Sequence, residues 1–329
     1  MITLDSLVFE YPGQRVLDGL SCRIPEGGIT ALVGPNGIGK TTLMRCIVAL
    51  EPPFSGTIHI DGIDTQEDPR ACHARIGFLL DFFGLYNDLT VEQCLLFAGG
   101  SQGLKEPALS NAVEKTIHLL EFEKRRTQRA GELSRGWRQR LGVGQAIVHE
   151  PKILLLDEPA SGLDPEARLA LSKLLRRLRD EGMTILVSSH ILSELEEYST
   201  HMLAMHGPRD IVMESLQTTP SSGNLVGGDG ANMVTDHDRR MLRLRFSNLP
   251  SDRELSRELT QIPGIFDCSV VGLDAHITLE GGDQEQEQLL RTLINNDFPL
   301  LELHNEKRNL QHVYLDRMRR HDREEEVAE

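Results

Sequence analysis

The segment Gly34-Pro35-Asn36-Gly37-Ile38-Gly39-Lys40-Thr41-Thr42 gathers glycines, a lysine and two hydroxyls into one short stretch. Its first eight residues match G-x-x-x-x-G-K-[ST]. Glycines let backbone N–H groups approach phosphate oxygens closely. A lysine after them reaches β- and γ-phosphates, and a threonine hydroxyl ligates Mg²⁺. The expected chemistry is capture of a nucleoside triphosphate, with Lys40 on the phosphates and Thr41 on the metal. A second segment, Ile153-Leu-Leu-Leu-Asp157-Glu158-Pro159, ends an apolar run in two carboxylates. Such a run reads as a buried strand, and ligands of open α/β sheets bind beyond the carboxyl ends of their strands. Asp157 is expected to position Mg²⁺, directly or through water. Glu158 is expected to polarise an attacking water as general base.

Elements of the right kind flank both segments. Ile29-Thr-Ala-Leu-Val33 is an apolar run of strand length that ends in the glycine-rich loop, and a helix is expected from that loop to about Leu50, ended by Pro52-Pro53. The macrodipole of that helix adds positive potential at the phosphates. Thr184–Val187 reads as another buried strand. Between the two later strands, Leu169, Leu171, Leu174, Leu175 and Leu178 recur at a helical period over Pro165–Glu181. Residues 1–24 alternate as short antiparallel strands. Residues 90–121 carry helical patterns broken near Gly99-Gly100 and Gly103, and Ser134 is placed to cap a helix that runs to about His149. Alternating strands and helices give an α/β core.

Two more segments, Leu133-Ser134-Arg135-Gly136-Trp137 and Ser188-Ser189-His190, complete an order and spacing that resembles the ATP-binding subunit of an ABC transporter. The resemblance covers residues 1–214. It implies a P-loop NTPase core of ABC type with an antiparallel β subdomain and a helical subdomain over about 82–150, and ATP with Mg²⁺ as ligands. In that family the first of these segments is usually Leu-Ser-Gly-Gly-Gln and binds the nucleotide held by the opposite subunit. This implies that Ser134 and the Gly136 N–H contact a γ-phosphate. His190 matches the family's switch histidine, which contacts the γ-phosphate and orients water. Ser161-Gly162-Leu163-Asp164 matches the loop that crosses the dimer interface. Tyr11 matches the aromatic residue that stacks on adenine. Gly34, Pro35, Asn36, Gly37, Gly39 and Thr42 join Lys40 and Thr41 around the nucleotide. Arg135 and Trp137 depart from the common signature while the Ser and Gly are kept; Trp137 reads equally as a packing residue. Asp81 stands where the family presents glutamine or glutamate to the metal. It is a methylene shorter, so it is expected to act on Mg²⁺ through a bridging water.

After the core, residues 215–239 are rich in Ser, Thr, Gly, Asn and Asp and read as a flexible linker. Residues 240–318 then show the order β-α-β-β-α-β of a small ferredoxin-like α+β domain, with strands expected at Met241–Phe246, Cys268–Val271, His276–Glu280 and Leu300–His304. A last amphipathic piece, Leu310–Met318, reads as helical, and 319–329 is a charged tail. This part resembles the small appendix of some export-type ABC subunits, through element order alone.

The bulk numbers narrow the function classes. The chain has 329 residues, 39% hydrophobic and 26% charged, with a formal net charge of −15. That length suggests about two domains. That charge argues against a broad nucleic-acid-binding face. The five cysteines show no CxxC pair and fit reduced thiols. No secretory signal is visible at Met1-Ile-Thr-Leu-Asp5, and no apolar stretch approaches the length that spans a bilayer. The resemblance therefore implies an ATPase working with a separate transmembrane permease, as a homodimer or with a related subunit. The expected location is cytoplasmic, on the inner face of the cell membrane, and the expected process is export. The alternatives are a non-transport ABC clamp acting on a soluble partner and a regulatory subunit with weak hydrolysis.

Overall fold

The computed structural model describes residues 1–81, 84–189, 191–216, 239–247, 252–296 and 298–306. These residues fall into two compact units, one before and one after the segment 217–238. His190, the segment 217–238 and everything beyond 306 lie outside the described residues, and so do the expected terminal helix, the tail and the middle of the expected linker 215–239, whose end residues Ser215 and Arg239 belong instead to strands.

The first unit begins with β1 (Ile2–Tyr11) and β2 (Gln14–Ile24), then β3 (Ile29–Val33), α1 (Lys40–Ile47), β4 (Ser55–Ile60), β5 (Ile63–Asp64), α2 (Pro69–His73) and β6 (Ile76–Leu79). It continues with α3 (Val91–Ser101), α4 (Ala108–Leu119), α5 (Arg135–Ile147), β7 (Ile153–Asp157), α6 (Pro165–Asp180), β8 (Thr184–Ser188), α7 (Leu192–Glu196), β9 (His201–Met205) and β10 (Ile211–Ser215). An antiparallel sheet has the order β2-β1-β4-β5, and a second has the order β10-β9-β3-β8-β7-β6. In the second sheet β9, β3, β8, β7 and β6 run parallel, and β10 is antiparallel at one edge. Every residue of β3, β7 and β8 is buried. Strands covered on both faces need apolar side chains on both, which is why these segments are continuous apolar runs with no alternation.

The parallel arrangement brings the candidate residues to the carboxyl ends of neighbouring strands. The glycine-rich loop leaves β3, Asp157 ends β7, Ser188 ends β8, and Asp81 follows two residues after the end of β6. Because β8 lies between β3 and β7, Ser188 is in register with Leu32 on one side and Asp157 on the other. The apolar faces of β1, β2 and β4 pack with α1 against this sheet, in one core that includes Leu4, Leu20, Ile58, Leu43, Leu155 and Leu186.

The helical region differs from the sequence pattern in three places. α3 runs straight through Gly99 and Gly100, and the chain turns only after Ser101. Gly99 is small because α4 approaches there: a Cβ would lie 2.6 Å from Leu109 Cδ1. Leu169 points to solvent, while Leu171, Leu174, Leu175 and Leu178 form the buried face of α6. Ser134 is the N-cap residue of α5, but its hydroxyl makes no cap hydrogen bond.

The second unit contains β11 (Arg239–Phe246), α8 (Asp252–Leu259), β12 (Ile265–Val271), β13 (Asp274–Glu280), α9 (Asp283–Asn295) and β14 (Leu300–Glu306). Its antiparallel sheet has the order β12-β13-β11-β14, the arrangement of a ferredoxin-like fold. Leu255 and Leu259 of α8 and Leu289 and Leu293 of α9 pack on Leu242, Leu244, Phe246, Ile277 and Leu279. Among the described residues no helix is long and apolar enough to cross a membrane.

The seating of β6 against α5 is a tight constraint. A Cβ on Gly77 would lie 2.1 Å from the Ala146 carbonyl oxygen. Backbone cannot yield as a side-chain tip can, so Gly77→Ala is expected to destabilise the first unit by about 2–3 kcal/mol. A fall in its thermal unfolding midpoint checks this; an unchanged midpoint contradicts it.

Candidate functional site

The loop 34–39 turns on glycine. Gly37 has φ +81° and Gly39 φ +114°, backbone that a side chain strains to adopt. A Cβ on Gly39 would also lie 2.9 Å from Val16 Cγ1, so the start of β2 is packed directly against the loop. Tyr11 faces Gln14 across the β1–β2 turn and is set edge-on to Phe9, with ring centroids 4.9 Å apart. Its ring is partly exposed. Lys40 opens α1 and is buried. Its Nζ donates to the Gly34 carbonyl at 2.8 Å and the Pro35 carbonyl at 3.0 Å, folding the ammonium back over the loop. Burial depresses the Lys40 pKa, and the nearby Glu158 and Asp157 carboxylates oppose that shift.

Asp157 is 3% exposed, and its two oxygens are both engaged. Thr41 Oγ1 donates to Oδ2 at 2.8 Å, and Ser188 Oγ donates to Oδ1 at 2.5 Å. A buried carboxylate is tolerated when hydrogen bonds replace its hydration. Ser188 also turns the chain at Glu158: the Glu158 N–H is donated to Ser188 Oγ at 3.0 Å and to the Ser188 carbonyl at 3.2 Å. Glu158 has φ +47°, which swings its side chain out of the line of β7.

The donor set suits Mg²⁺. Magnesium prefers hard oxygen donors, keeps several waters, and takes one or two protein ligands beside substrate phosphates. The Thr41 hydroxyl and the Asp157 carboxylate already meet at 2.8 Å next to a glycine cradle and a buried lysine. Among the described residues no group of three or more His, Cys, Asp or Glu could hold a metal by themselves. Asp81 lies beyond β6, which pairs with β7 up to Leu79 and Leu156.

Ser134, Gly136 and Asp164 form a second cluster. They line a cavity of about 360 Å³ with Trp137, Gln139 and Arg140. Gly136 has a packing reason as well as the implied phosphate role: a Cβ there would lie 2.8 Å from Ala167 Cβ, so α5 and α6 touch at this point. Asp164 caps α6, its Oδ1 accepting the Ala167 N–H at 2.8 Å. The Trp137 ring carries two guanidinium groups, Arg125 at 4.6 Å from its centre and Arg140 at 4.8 Å, and it packs on Phe122. The packing reading of this residue thus has contacts behind it, two cation–π pairs and an aromatic neighbour. His190 lies outside the described residues; its neighbour Ser189 is buried and accepts the Ile191 N–H at 3.0 Å.

The residue that sequence reasoning left without a role is Ser188. It was visible only as part of Ser188-Ser189-His190. Its contact with Asp157 needs the strand order that places β8 beside β7, and no local pattern reports that order.

The family model described as ABC transporter matches residues 17–161. The Nod factor export ATP-binding protein I of Paraburkholderia xenovorans (strain LB400) is 34% identical over 210 residues, which is 64% of this chain and 69% of its own length. The probable multidrug ABC transporter ATP-binding protein YbhF of Escherichia coli (strain K12) is 35% identical over 238 residues, 68% of this chain, and the chain spans 41% of that relative's length. A solved structure of the ATP binding subunit of an ABC transporter matches with a TM-score of 0.59 at 29% identity, covering 66% of this chain and 90% of the other. With the phosphate loop, the buried aspartate and the glutamate gathered at the carboxyl ends of the strands, and a relative matched over more than two thirds of its length, the chain belongs to the ABC transporter ATP-binding proteins.

Proposed function

We propose that this chain binds and hydrolyses ATP to drive transport through a separate membrane permease, and that the direction is export. The observation that carries the chemistry is the Thr41–Asp157 contact at 2.8 Å, beside the buried Lys40 and followed directly by Glu158. Export is favoured because relatives named for multidrug transport and Nod factor export match at 34–35% identity. A separate permease is supported by relatives named as ATP-binding proteins of transporters.

In this reading two copies, or this chain and a related subunit, pair head to tail around two ATP molecules. Tyr11 stacks on adenine, a contact that gives affinity with little base specificity. The backbone of Gly34–Gly39 with Thr42 cradles the phosphates, and Lys40 leaves the Gly34 and Pro35 carbonyls for the β- and γ-oxygens. Thr41 and Asp157, with Asp81 through water, hold Mg²⁺, which when bound neutralises charge on those oxygens. Glu158 polarises the attacking water and His190 orients it. Ser134 and Gly136 of the opposite chain contact the γ-phosphate at the start of α5, and Asp164 holds the crossing loop. Loss of the γ-phosphate removes the contacts that join the chains, so hydrolysis opens the pair. The helices α3 and α4 carry that motion to the permease.

Lys40→Ala removes a charge-assisted contact and is expected to weaken ATP binding about 10- to 100-fold, read by equilibrium titration. Glu158→Gln keeps the shape and loses the base. Turnover is expected to fall about 10²- to 10⁴-fold while ATP accumulates a dimer in size-exclusion chromatography. A Glu158→Gln chain that turns over at the wild-type rate contradicts the assignment. Ser188→Ala leaves an Asp157 oxygen without its donor. It is expected to raise the Mg²⁺ concentration for half-maximal turnover about tenfold, and unaltered Mg²⁺ dependence contradicts that role. The transport reading is tested by tagging Glu158→Gln and recovering it with ATP from detergent-solubilised membranes. A co-purifying multi-span protein is the expected result; recovery of soluble partners alone overturns it in favour of a clamp.

A further inference from the structure

The loop Ser161–Asp164 follows Glu158 and precedes α6, and its own backbone holds it only lightly. Ser161 N–H is donated to the Glu158 carbonyl at 3.1 Å, and Leu163 N–H to the Ala160 carbonyl at 3.2 Å. The two carbonyls that face away from the turn are each taken by an arginine. Arg135 Nη2 donates to the Ser161 carbonyl at 2.9 Å, and Arg168 Nε donates to the Leu163 carbonyl at 3.0 Å. Arg135 reaches over from the first turn of α5, directly after Ser134. Arg168 has a second hand: its Nη1 is 3.0 Å from Glu194 Oε1, a carboxylate of α7 that is itself mostly buried. The other oxygen of Glu194 lies 3.4 Å from Ser189 Oγ, at the end of β8. Between the two grips the loop passes Gly162, with φ +64°. A Cβ there would lie 2.3–2.4 Å from the Arg135 guanidinium, so the arginine lies flat on backbone that only glycine leaves bare.

We infer that Arg135 and Arg168 are positioning residues: they clamp the loop Ser161–Asp164 at both ends and through it set the backbone of Glu158 for water attack. This rests on the proposed role of Glu158 and adds the residues that place it. The linkage is continuous. Ser161 holds the Glu158 carbonyl, Arg135 holds Ser161 to the start of α5, and Arg168 joins the far end of the loop to α7 and Ser189. A guanidinium suits this work because its planar fork donates in two fixed directions at once, which a lysine cannot do. A base displaced by about an ångström costs catalysis far more than substrate binding. Neither arginine hydrogen-bonds Lys40 or the loop 34–39, but Arg135 lies between Ser134 and Gly136, which are assigned to the opposite chain's γ-phosphate, so Arg168 is the arginine whose removal leaves every proposed nucleotide contact in place.

The test uses the full chain and three variants, Arg135→Ala, Arg168→Ala and Gly162→Ala, the last of which forces the guanidinium off the loop without deleting it. Two readouts are taken: steady-state ATP turnover, and amide hydrogen exchange of residues 160–164 in the nucleotide-free chain. The expected result is kcat lowered about tenfold with KM for ATP within about twofold, together with exchange of that segment at least about tenfold faster. Arg135→Lys, which keeps a donor of similar reach, is expected to recover part of kcat. Exchange at the wild-type rate in the arginine variants overturns the clamp, and would leave Arg135 acting by its charge alone. Faster exchange with unchanged kcat overturns the positioning role. Faster exchange in variants of a wild-type chain that does not turn over ATP leaves the clamp standing and removes the hydrolytic reading beneath it.

Discussion

Everything at the site depends on one buried carboxylate. Asp157 ends the fully buried strand β7 with almost no access to water, and an ion in that position is unstable unless polar groups replace its hydration. Two hydroxyls do so, one from the helix that follows β3 and one from the end of β8. Each comes from a different element, so the carboxylate is satisfied only when β3, β7 and β8 are in order and register. The same requirement that makes the fold acceptable electrostatically also puts Thr41, Ser188 and Glu158 within reach of one another. Structure and chemistry share this constraint, and a change that relaxes one disturbs the other.

The two functional clusters are built on opposite physical principles. Around Lys40 and Asp157 the site is buried, and its groups hold each other: ammonium on carbonyls, hydroxyls on a carboxylate. In the proposed mechanism these are the contacts that a triphosphate and its metal replace with their own. Around Ser134 the surface is a cavity bordered by the capped start of α6 and by a tryptophan that two arginines and Phe122 contact. The loop Ser161–Asp164 connects these regions, since it hangs from the carbonyl of Glu158 at one end and caps α6 at the other.

Much of this was legible in the sequence, for a definite reason. The glycine-rich loop, the acidic pair and the strands expected at Ile153–Leu156 and Thr184–Val187 are local features, written in consecutive residues whose types leave few alternatives, and each strand runs one residue further in the structure. The order of elements in the second unit was legible too, because period-2 and period-3.6 patterns alternate cleanly there, and that order with short connections points to one sheet arrangement. What misled was also local. Gly99-Gly100 reads as a break, yet the helix continues because α4 needs the space that a side chain would fill. Leu169 fits a leucine period but lies off the buried face, since it is about 200° around the helix from Leu171. Ser134 has the type of a capping residue and makes no cap.

The sequence by itself determined the chemistry to be expected: a phosphate loop, an acidic pair proposed as metal ligand and base, and a family of ATP-binding proteins. These are properties of short segments, in which residue type and spacing act directly through backbone geometry and charge. Only the tertiary structure decided how the segments meet. That Ser188 completes the hydrogen bonding of Asp157, that Gly136 is small because Ala167 presses on it, and that Arg135 and Arg168 grip one loop from two sides all depend on strand order and helix contact between residues far apart in the chain. Hydrogen bonds and packing act over a few ångströms, and the distances that matter are set by the fold, so no local pattern carries them.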